Sequence, residues 1–384
     1  MYFPRNLEKE VLKALKTFPV IAITGPRQCG KSTLVWELVK KIPKNVYLDL
    51  ERPSDLQKLE NAEWFFGSQK NKLICIDEIQ RKPELFPLIR SLADEWNKPG
   101  CFLILGSASR ELLKQSSESL AGRINYRRLT PFLFDELPAS YSIERYLSTG
   151  AFPRSILAPN AAMSFQWRID FIASFLERDL AQWAAFPSAA INRLWRMIAH
   201  YNGSSVNYSA FSSSMNSSSV TVKNYIDLLA STYMLEIVPP YISNLGKRLV
   251  KAPKIYIADS GICAALLSLK SFEDIAGHPV LGSIWEQTVL SHIKGWYPGA
   301  EIFYYRTSNG AESDFVVRLG RKVLAVECKA SYSPVLSKGN YLAFEDINPD
   351  HVFVVIPPGT SIQSWSMKKG IDVITLPDLK SKLF

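Results

Sequence analysis

Two sets of residues in this chain have the types and spacing that chemistry on phosphates requires. The first is Gly25-Pro-Arg-Gln-Cys-Gly30-Lys31-Ser32, which fits GxxxxGK[ST]. Glycines let backbone N–H groups turn inward around phosphate oxygens, the lysine reaches the β and γ oxygens, and the serine hydroxyl ligates Mg²⁺ beside a helix N-terminus that favours negative charge. Gly25, Gly30, Lys31, Ser32 and Thr33 are therefore the expected ATP-binding set. Further on, Lys72-Leu-Ile-Cys-Ile leads into Asp77 and Glu78. Asp77 is placed to hold the Mg²⁺ shell with Ser32, and Glu78 to polarise the attacking water, which separates a hydrolysing ATPase from a passive nucleotide switch. The next apolar run, CFLILGSASR, ends in hydroxyl residues, of which Ser107 or Ser109 is a candidate contact to the γ-phosphate or the water.

The second set is Glu286, Asp314, Glu327 and Lys329. The stretch AESDFVVRLGRKVLAVECKAS, Ala311 to Ser331, reads as two alternating strands joined by Leu-Gly-Arg-Lys. Alternation puts Glu327 and Lys329 on one face, so both reach one cleft. Two carboxylates there would hold a hard divalent ion that activates water and stabilises a pentavalent phosphate, while the lysine orients that water or the scissile phosphate. Glu286, on a preceding amphipathic helix, adds a ligand or holds Lys329. Helix-borne Glu, strand Asp, then Glu-x-Lys is the PD-(D/E)xK nuclease pattern, here without the proline before Asp314. A salt-bridged core remnant has the same spelling. Both a Mg²⁺-dependent nuclease and a non-cleaving binding module stay open.

The elements that must position these groups follow from periodicity. VIAITG, VYLDLERP, LICID and CFLIL are strands alternating with helices about five times over, which makes a parallel α/β sheet covered on both faces. AAMSFQWRIDFIASFLERDLAQWAAF is helical and is expected as a small lid over the nucleotide. VNYSAFSSSM and SSVTVKNYIDLLASTYML hold apolar residues at helical spacing around the turn Asn216-Ser-Ser. With the strand LEIVPPY, the basic loop NLGKRLVKAPK and the strand IYIADS they describe a winged helix-turn-helix. Ser218, Ser219, Thr221, Lys223 and Asn224 then open a recognition helix, and Lys247, Arg248, Lys251 and Lys254 decorate the wing, types suited to phosphate and groove contacts. The same fold also serves as a protein–protein module.

At 384 residues, with 47% hydrophobic and 21% charged side chains, the chain is globular and long enough for several domains. No apolar run approaches the roughly 18 to 20 residues that span a bilayer, and the N-terminus lacks a signal peptide's apolar region. Cys29, Cys75, Cys101, Cys263 and Cys328 are scattered without CxxC spacing, as reduced buried thiols in the cytoplasm would be. The formal charge of +9 favours a polyanionic partner.

ITGPRQCGKST, LICIDEIQ, LILGSAS and SLAGR, in this order, resemble the prokaryotic AAA-type ATPases that carry a C-terminal domain of uncharacterised function. The likeness covers nearly the whole chain, including the GKRLVKAPKIYIADSG run and the acid-bearing strands. It implies that the arginine of SLAGR, Arg123, is a finger or sensor acting in cis or on a neighbouring subunit. The expected architecture is α/β: an AAA-type P-loop parallel sheet (1–135) with a helical lid (136–189), then a winged helix-turn-helix (190–258) and a restriction-endonuclease-like α/β domain (259–384). Expected partners are ATP with Mg²⁺ and nucleic acid, DNA before RNA. A homo-oligomer and a protein client stay open, and no membrane is expected.

Overall fold

The computed structural model describes residues 2–107, 120–180, 187–242, 249–359 and 363–383. They fall into two compact units, residues 1–132 with Ser231–Tyr233, and Leu133–Ala230 with Met234–Phe384. No described helix is long and apolar enough to cross a membrane.

In the first unit the described strands are β1 (Val20–Gly25), β2 (Asn45–Asp49), β3 (Leu73–Asp77), β4 (Phe102–Ser107) and β5 (Ile124–Arg128). They form one sheet in the order β2-β3-β4-β1-β5, with every pair parallel. Their near-continuous apolar sequence follows from burial on both faces, because successive side chains point to opposite sides. Val20, Ala22, Ile74, Ile76, Phe102 and Ile104 enter one core, under the helix Leu85–Trp96. Ile21, Ile23, Cys75, Leu103 and Leu105 enter the other, under the helix Lys31–Lys40 and the helix Asn6–Ala14. Parallel direction brings the carboxyl ends Gly25, Asp77 and Ser107 to one edge of the sheet, where open α/β sheets bind ligands.

The second unit begins with the helices Ile143–Thr149, Pro153–Ile156 and Ala161–Ser174. The sequence leads one to expect a nucleotide lid here, and the structure packs these helices around the helix Ser260–Leu266 of the same unit. Buried Arg168 donates to Ser148 O (2.6 Å) and Gly261 O (3.0 Å), and Asp259 accepts from Ala151 N (2.7 Å) and Ile262 N (2.9 Å). Next come the helix Ser188–His200, β6 (Ser204–Ser205), the helices Tyr208–Met215 and Ser219–Ser231, β7 (Leu235–Val238) and β8 (Lys254–Ile257). These strands form an antiparallel sheet in the order β6-β8-β7. Asn216, with φ 50°, makes the left-handed stop between the two helices.

The rest of the unit is the helix Leu281–Trp296, β9 (Glu301–Arg306), β10 (Glu312–Leu319), β11 (Lys322–Cys328), the helix Lys338–Ile347, β12 (His351–Ile356), β13 (Trp365–Lys368) and β14 (Ile371–Thr375). Among the described residues the sheet order is β13-β14-β12-β11-β10-β9. β9, β10 and β11 are an antiparallel meander, and the helix Lys338–Ile347 is the crossover that lets β12 lie parallel to β11. The register of β10 against β9 shifts between Ser313 and Val316, a bulge that locally kinks the strand at Asp314. On its other side β9 is bonded by two short arms. Tyr241 N donates to Tyr304 O (2.7 Å), Tyr304 N to Pro239 O (3.0 Å), and Val250 N to Arg306 O (3.0 Å).

Candidate functional site

The phosphate loop leaves β1 through Gly25, whose φ of 150° and close approach to β5's end both demand glycine. A Cβ there would stand 2.2 Å from Leu129 O. Gly30, with φ 99°, opens the helix Lys31–Lys40. The Lys31 ammonium is folded back on its own loop and donates to Gly25 O (3.1 Å) and Pro26 O (2.9 Å). Beneath the loop, buried Arg5 donates to Cys29 O (3.2 Å) and Thr130 O (2.6 Å).

Asp77 closes β3, buried, and accepts from the Tyr47 hydroxyl (2.5 Å) and from Glu78 N (2.9 Å). Ser32 lies close enough to the same Tyr47 hydroxyl to pull its pKa down against burial. Ser32 and Asp77 thus both face the Tyr47 hydroxyl, and a serine hydroxyl beside a carboxylate is the kind of oxygen donor pair a hard divalent ion takes. Burial, reinforced by the neighbouring Asp77 charge, pushes the Tyr47 hydroxyl far above its ordinary range. Glu78 sits in the left-handed region, φ 53°, so the chain turns sharply after β3. Burial raises its carboxyl above the usual range against the pull of Lys31, and its side chain accepts from the Gln80 amide. Thr33 is exposed at the start of the helix. Ser107 pairs with Gly25 at the end of β4, but its side chain and the whole of Ser109 lie outside the described residues.

Arg123 does not join this edge. β5 runs parallel to β1 with Ile124 beside Val20, so Arg123 precedes the first rung while the phosphate loop follows the last. About five residues at ~3.3 Å each separate the two ends, roughly 16 Å. Arg123 Nη1 donates to Ala121 O (2.8 Å), and its Nε pairs with Asp94. A finger role in cis is therefore corrected, because parallel register sends this residue to the opposite edge.

In the second unit Glu286, Asp314, Glu327 and Lys329 do come together. Asp314 and Glu327 are cross-strand neighbours on β10 and β11, in the register set by Phe315 and Val326. Lys329 Nζ lies 2.8 Å from Glu327 Oε1, as the two-residue spacing requires, and Asn340 Nδ2 donates to the same oxygen (2.8 Å). Asp314 Oδ2 accepts from Cys328 N (2.8 Å), and Asp314 N faces Glu327 Oε2 at 3.4 Å. A further cation occupies the middle. Lys254 Nζ lies 2.9 Å from Glu312, 3.8 Å from Asp314 and 3.8 Å from Glu286, and two residues along β8 the Tyr256 hydroxyl donates to Glu286 (2.8 Å). Burial, with Asp314's charge added, pushes the carboxyls of Glu286 and Glu327 up to about 8. Among the described residues no three His, Cys, Asp or Glu side chains are grouped to hold a metal ion. The cluster does not fit one.

The expected nucleic-acid residues divide. The helix Ser219–Ser231 buries Val222, Tyr225, Ile226 and Leu229 and leaves Ser218, Ser219, Lys223 and Asn224 exposed, with Thr221 half-buried beside them. Ser218 caps the helix by accepting from Thr221 N (3.0 Å). Lys251 is exposed, whereas Lys247 and Arg248 lie outside the described residues. Lys254, expected on the wing surface, is 2% exposed. Its strand points it, with Tyr256, at the carboxylates. Sequence reasoning missed Arg5, Tyr47, Tyr256, Glu312 and Asn340. The signal for the β8 pair was a polar residue two positions before a tyrosine in an otherwise apolar strand.

A family model described as an AAA domain matches residues 17–138, and two described as domains of unknown function, DUF8612 and DUF4143, match 140–273 and 281–379. Uncharacterized proteins of Mycobacterium tuberculosis and Mycobacterium bovis are each 35% identical over 354 residues, 92% of this chain and 80% of theirs. Among solved structures, a Walker-type ATPase of Pyrococcus abyssi is 15% identical at a TM-score of 0.48, covering 69% of this chain and 96% of that one. AMPPCP-bound DnaA from Aquifex aeolicus is 12% identical at a TM-score of 0.29, covering 58% and 86%. Both scores fall below 0.5, and the ATPase fold rests on the AAA-domain match and the parallel sheet.

Proposed function

The chain belongs to one family with these two mycobacterial proteins and carries an AAA domain, and from that premise we propose that it hydrolyses ATP and lets nucleotide state govern the binding of nucleic acid, duplex DNA first, by its second unit. The observation that carries the reading is that Ser32 and Asp77 both face the Tyr47 hydroxyl, at the sheet edge where Lys31 and Glu78 also lie. With nucleotide bound, Lys31 would exchange its two carbonyl partners for β- and γ-phosphate oxygens, Ser32 and Asp77 would hold Mg²⁺, and Glu78 would take a proton from the attacking water. Bound there, Mg²⁺ would supply charge neutralisation for the phosphoryl oxygens. Burial of Glu78 favours proton acceptance, because it brings the carboxyl closer to neutral pH.

The nucleic-acid part is supported by the exposed hydroxyl, amide and lysine side chains at the start of the helix Ser219–Ser231, and by the element order helix, strand, helix, helix, strand, strand of a winged helix. The order helix, three antiparallel strands, helix, parallel strand supports a nuclease-like fold for the remainder. The charge arrangement around Lys254 favours its non-cleaving form. Five unpaired, buried cysteines support a reducing, cytoplasmic setting. The test is ATP turnover by wild type, Lys31→Ala and Glu78→Gln, alongside anisotropy on a labelled duplex with and without nucleotide. Both variants should turn over ATP far more slowly than wild type, and nucleotide should shift duplex affinity in wild type and Glu78→Gln but not in Lys31→Ala. Unimpaired turnover in the variants removes the ATPase assignment. Duplex affinity indistinguishable from background removes the nucleic-acid one.

A further inference from the structure

The acidic cluster holds its cation in covalent form. An ammonium buried to 2% exposure is tolerated only with opposite charge around it, since an isolated one is taken out of water at a cost of several kcal/mol. Lys254 has three carboxylates within 4.0 Å, and the ring of Tyr304 lies 5.6 Å below its Nζ. The Tyr304 hydroxyl in turn donates to Ala252 O, fixing the chain just before β8. Alternation along β8 then delivers two groups to the same place, the Lys254 ammonium and the Tyr256 hydroxyl on Glu286.

A divalent ion would need carboxylate oxygens at about 2.0–2.6 Å with lone pairs aimed inward. Most of those oxygens have other partners here. Asp314 Oδ2 takes the Cys328 N–H and Oδ1 faces Lys254. Glu327 Oε1 takes both Lys329 and Asn340. Glu286 Oε2 takes Tyr256 and faces Lys254. Glu312 divides itself between Lys254 and Arg306 (3.6 Å).

We propose that the Lys254 ammonium is the resident cation of the Glu286, Glu312 and Asp314 cluster, standing where a divalent ion would have to sit, so that the cluster is a salt-bridged lock of β8 onto the six-stranded sheet and not a hydrolytic metal centre. The lock ties β8 to the meander carrying Asp314 and Glu327. The inference does not rest on the nucleic-acid reading, which is tested by duplex binding and not by metal.

The experiment is a Mn²⁺ titration of the nucleotide-free full chain, read by the electron paramagnetic resonance signal of free ion, beside melting curves. Wild type and Asp314→Asn should bind the same amount of Mn²⁺, because any ion at the nucleotide edge is common to both. Lys254→Met should melt lower than wild type and then regain a rise of about 5 °C in saturating Mn²⁺ or Mg²⁺, a response absent from wild type. Adding Asp314→Asn to Lys254→Met should abolish that response. Should Lys254→Met not fold, Lys254→Met combined with Glu312→Gln carries one fewer unpaired charge and the same metal test. One Mn²⁺ bound by wild type and lost in Asp314→Asn overturns the proposal. So does a lysine-less variant that melts like wild type and ignores metal.

Discussion

At the nucleotide edge Lys31 is bonded to two neutral carbonyls of its own loop, while in the second unit Lys254 is bonded among three carboxylates. Both lysines are buried, and both stand near acids. Giving up a hydrogen bond from a charged group to a neutral carbonyl costs about 1.5–3 kcal/mol, which new bonds to phosphate offset, whereas removing one member of a buried ion pair costs about 3–5 kcal/mol. Lys31 is therefore free to turn to a phosphate, and Lys254 is fixed. A lysine beside two carboxylates has no chemistry by composition alone. Its partners decide whether it is a reagent or a rivet.

The comparison is broken most easily at Glu78. Glu78→Gln should lower ATP turnover ~10²- to 10⁴-fold while ATP still binds, and Lys31→Ala should lose binding itself, as single-turnover and equilibrium binding assays would register. Near-normal turnover in Glu78→Gln would leave both acid sites structural. The opposite behaviour is expected of Asp314→Asn. This substitution strips a charge from the Lys254 cluster and should lower stability by about 3 kcal/mol in a denaturant melt, with ATP turnover unaltered. A stable Asp314→Asn that had lost a metal-dependent cleavage present in wild type would erase the contrast.

A third experiment sharpens it with pH. His292 is fully buried, its Nε2 accepting from Phe134 N (2.8 Å) and its Nδ1 bonded to Thr288 O (2.7 Å), so the neutral ring is the one that fits. Burial lowers its pKa from 6.5 to about 4, partly offset by the Thr288 bond and Asp135, with Lys380 acting in the same direction as burial. Between those values the unfolded chain holds a proton that the folded chain does not. Stability is thus complete above about pH 6.5 and falls as pH drops toward 4, by about 3 kcal/mol in all. Glu286 and Glu327 slope the other way, since their raised pKa values make stability fall as pH rises from the ordinary carboxyl range toward 8. The difference curve between wild type and His292→Gln isolates the histidine, and a flat difference would mean that the ring titrates alike in the folded and unfolded chain. The smallest effect is on the helix Ser219–Ser231. Lys223→Ala should reduce the slope of log affinity against log salt for a duplex by about one unit, and an unchanged slope would give that face to a protein partner.

Local patterns were legible and long-range ones were not. The phosphate loop and the Asp77-Glu78 strand end are contiguous spellings tied to a strand–loop–helix, and the Glu327–Lys329 pair follows from strand alternation alone. The Lys254 environment depends on carboxylates from 32 to 60 residues later in the chain, supplied by one helix and one strand. A basic run ending in a strand therefore read as a surface wing. Arg123 was misplaced for a related reason, because its position depends on the direction of β5 beside β1, which pairing decides and composition does not. The three helices before residue 175 carry a helical pattern that is silent about which surface they cover. Their partner, the helix Ser260–Leu266, lies nearly a hundred residues on.

The arms on β9 have a consequence for how copies of this chain meet. A sheet exposes unpaired N–H and C=O groups only along its two outermost strands, and those rows are templates for strand addition by another molecule. On one side the row is already used, by Pro239–Tyr241 and by Val250. On the other, β13 is only four residues long, its register slips between Ser366 and Lys368, and it carries a lysine at its end. A short, irregular, charged border is a poor place to stack a seventh strand. This sheet should therefore stay finite at high concentration, so that any self-association runs through side chains and leaves the backbone ladder unextended.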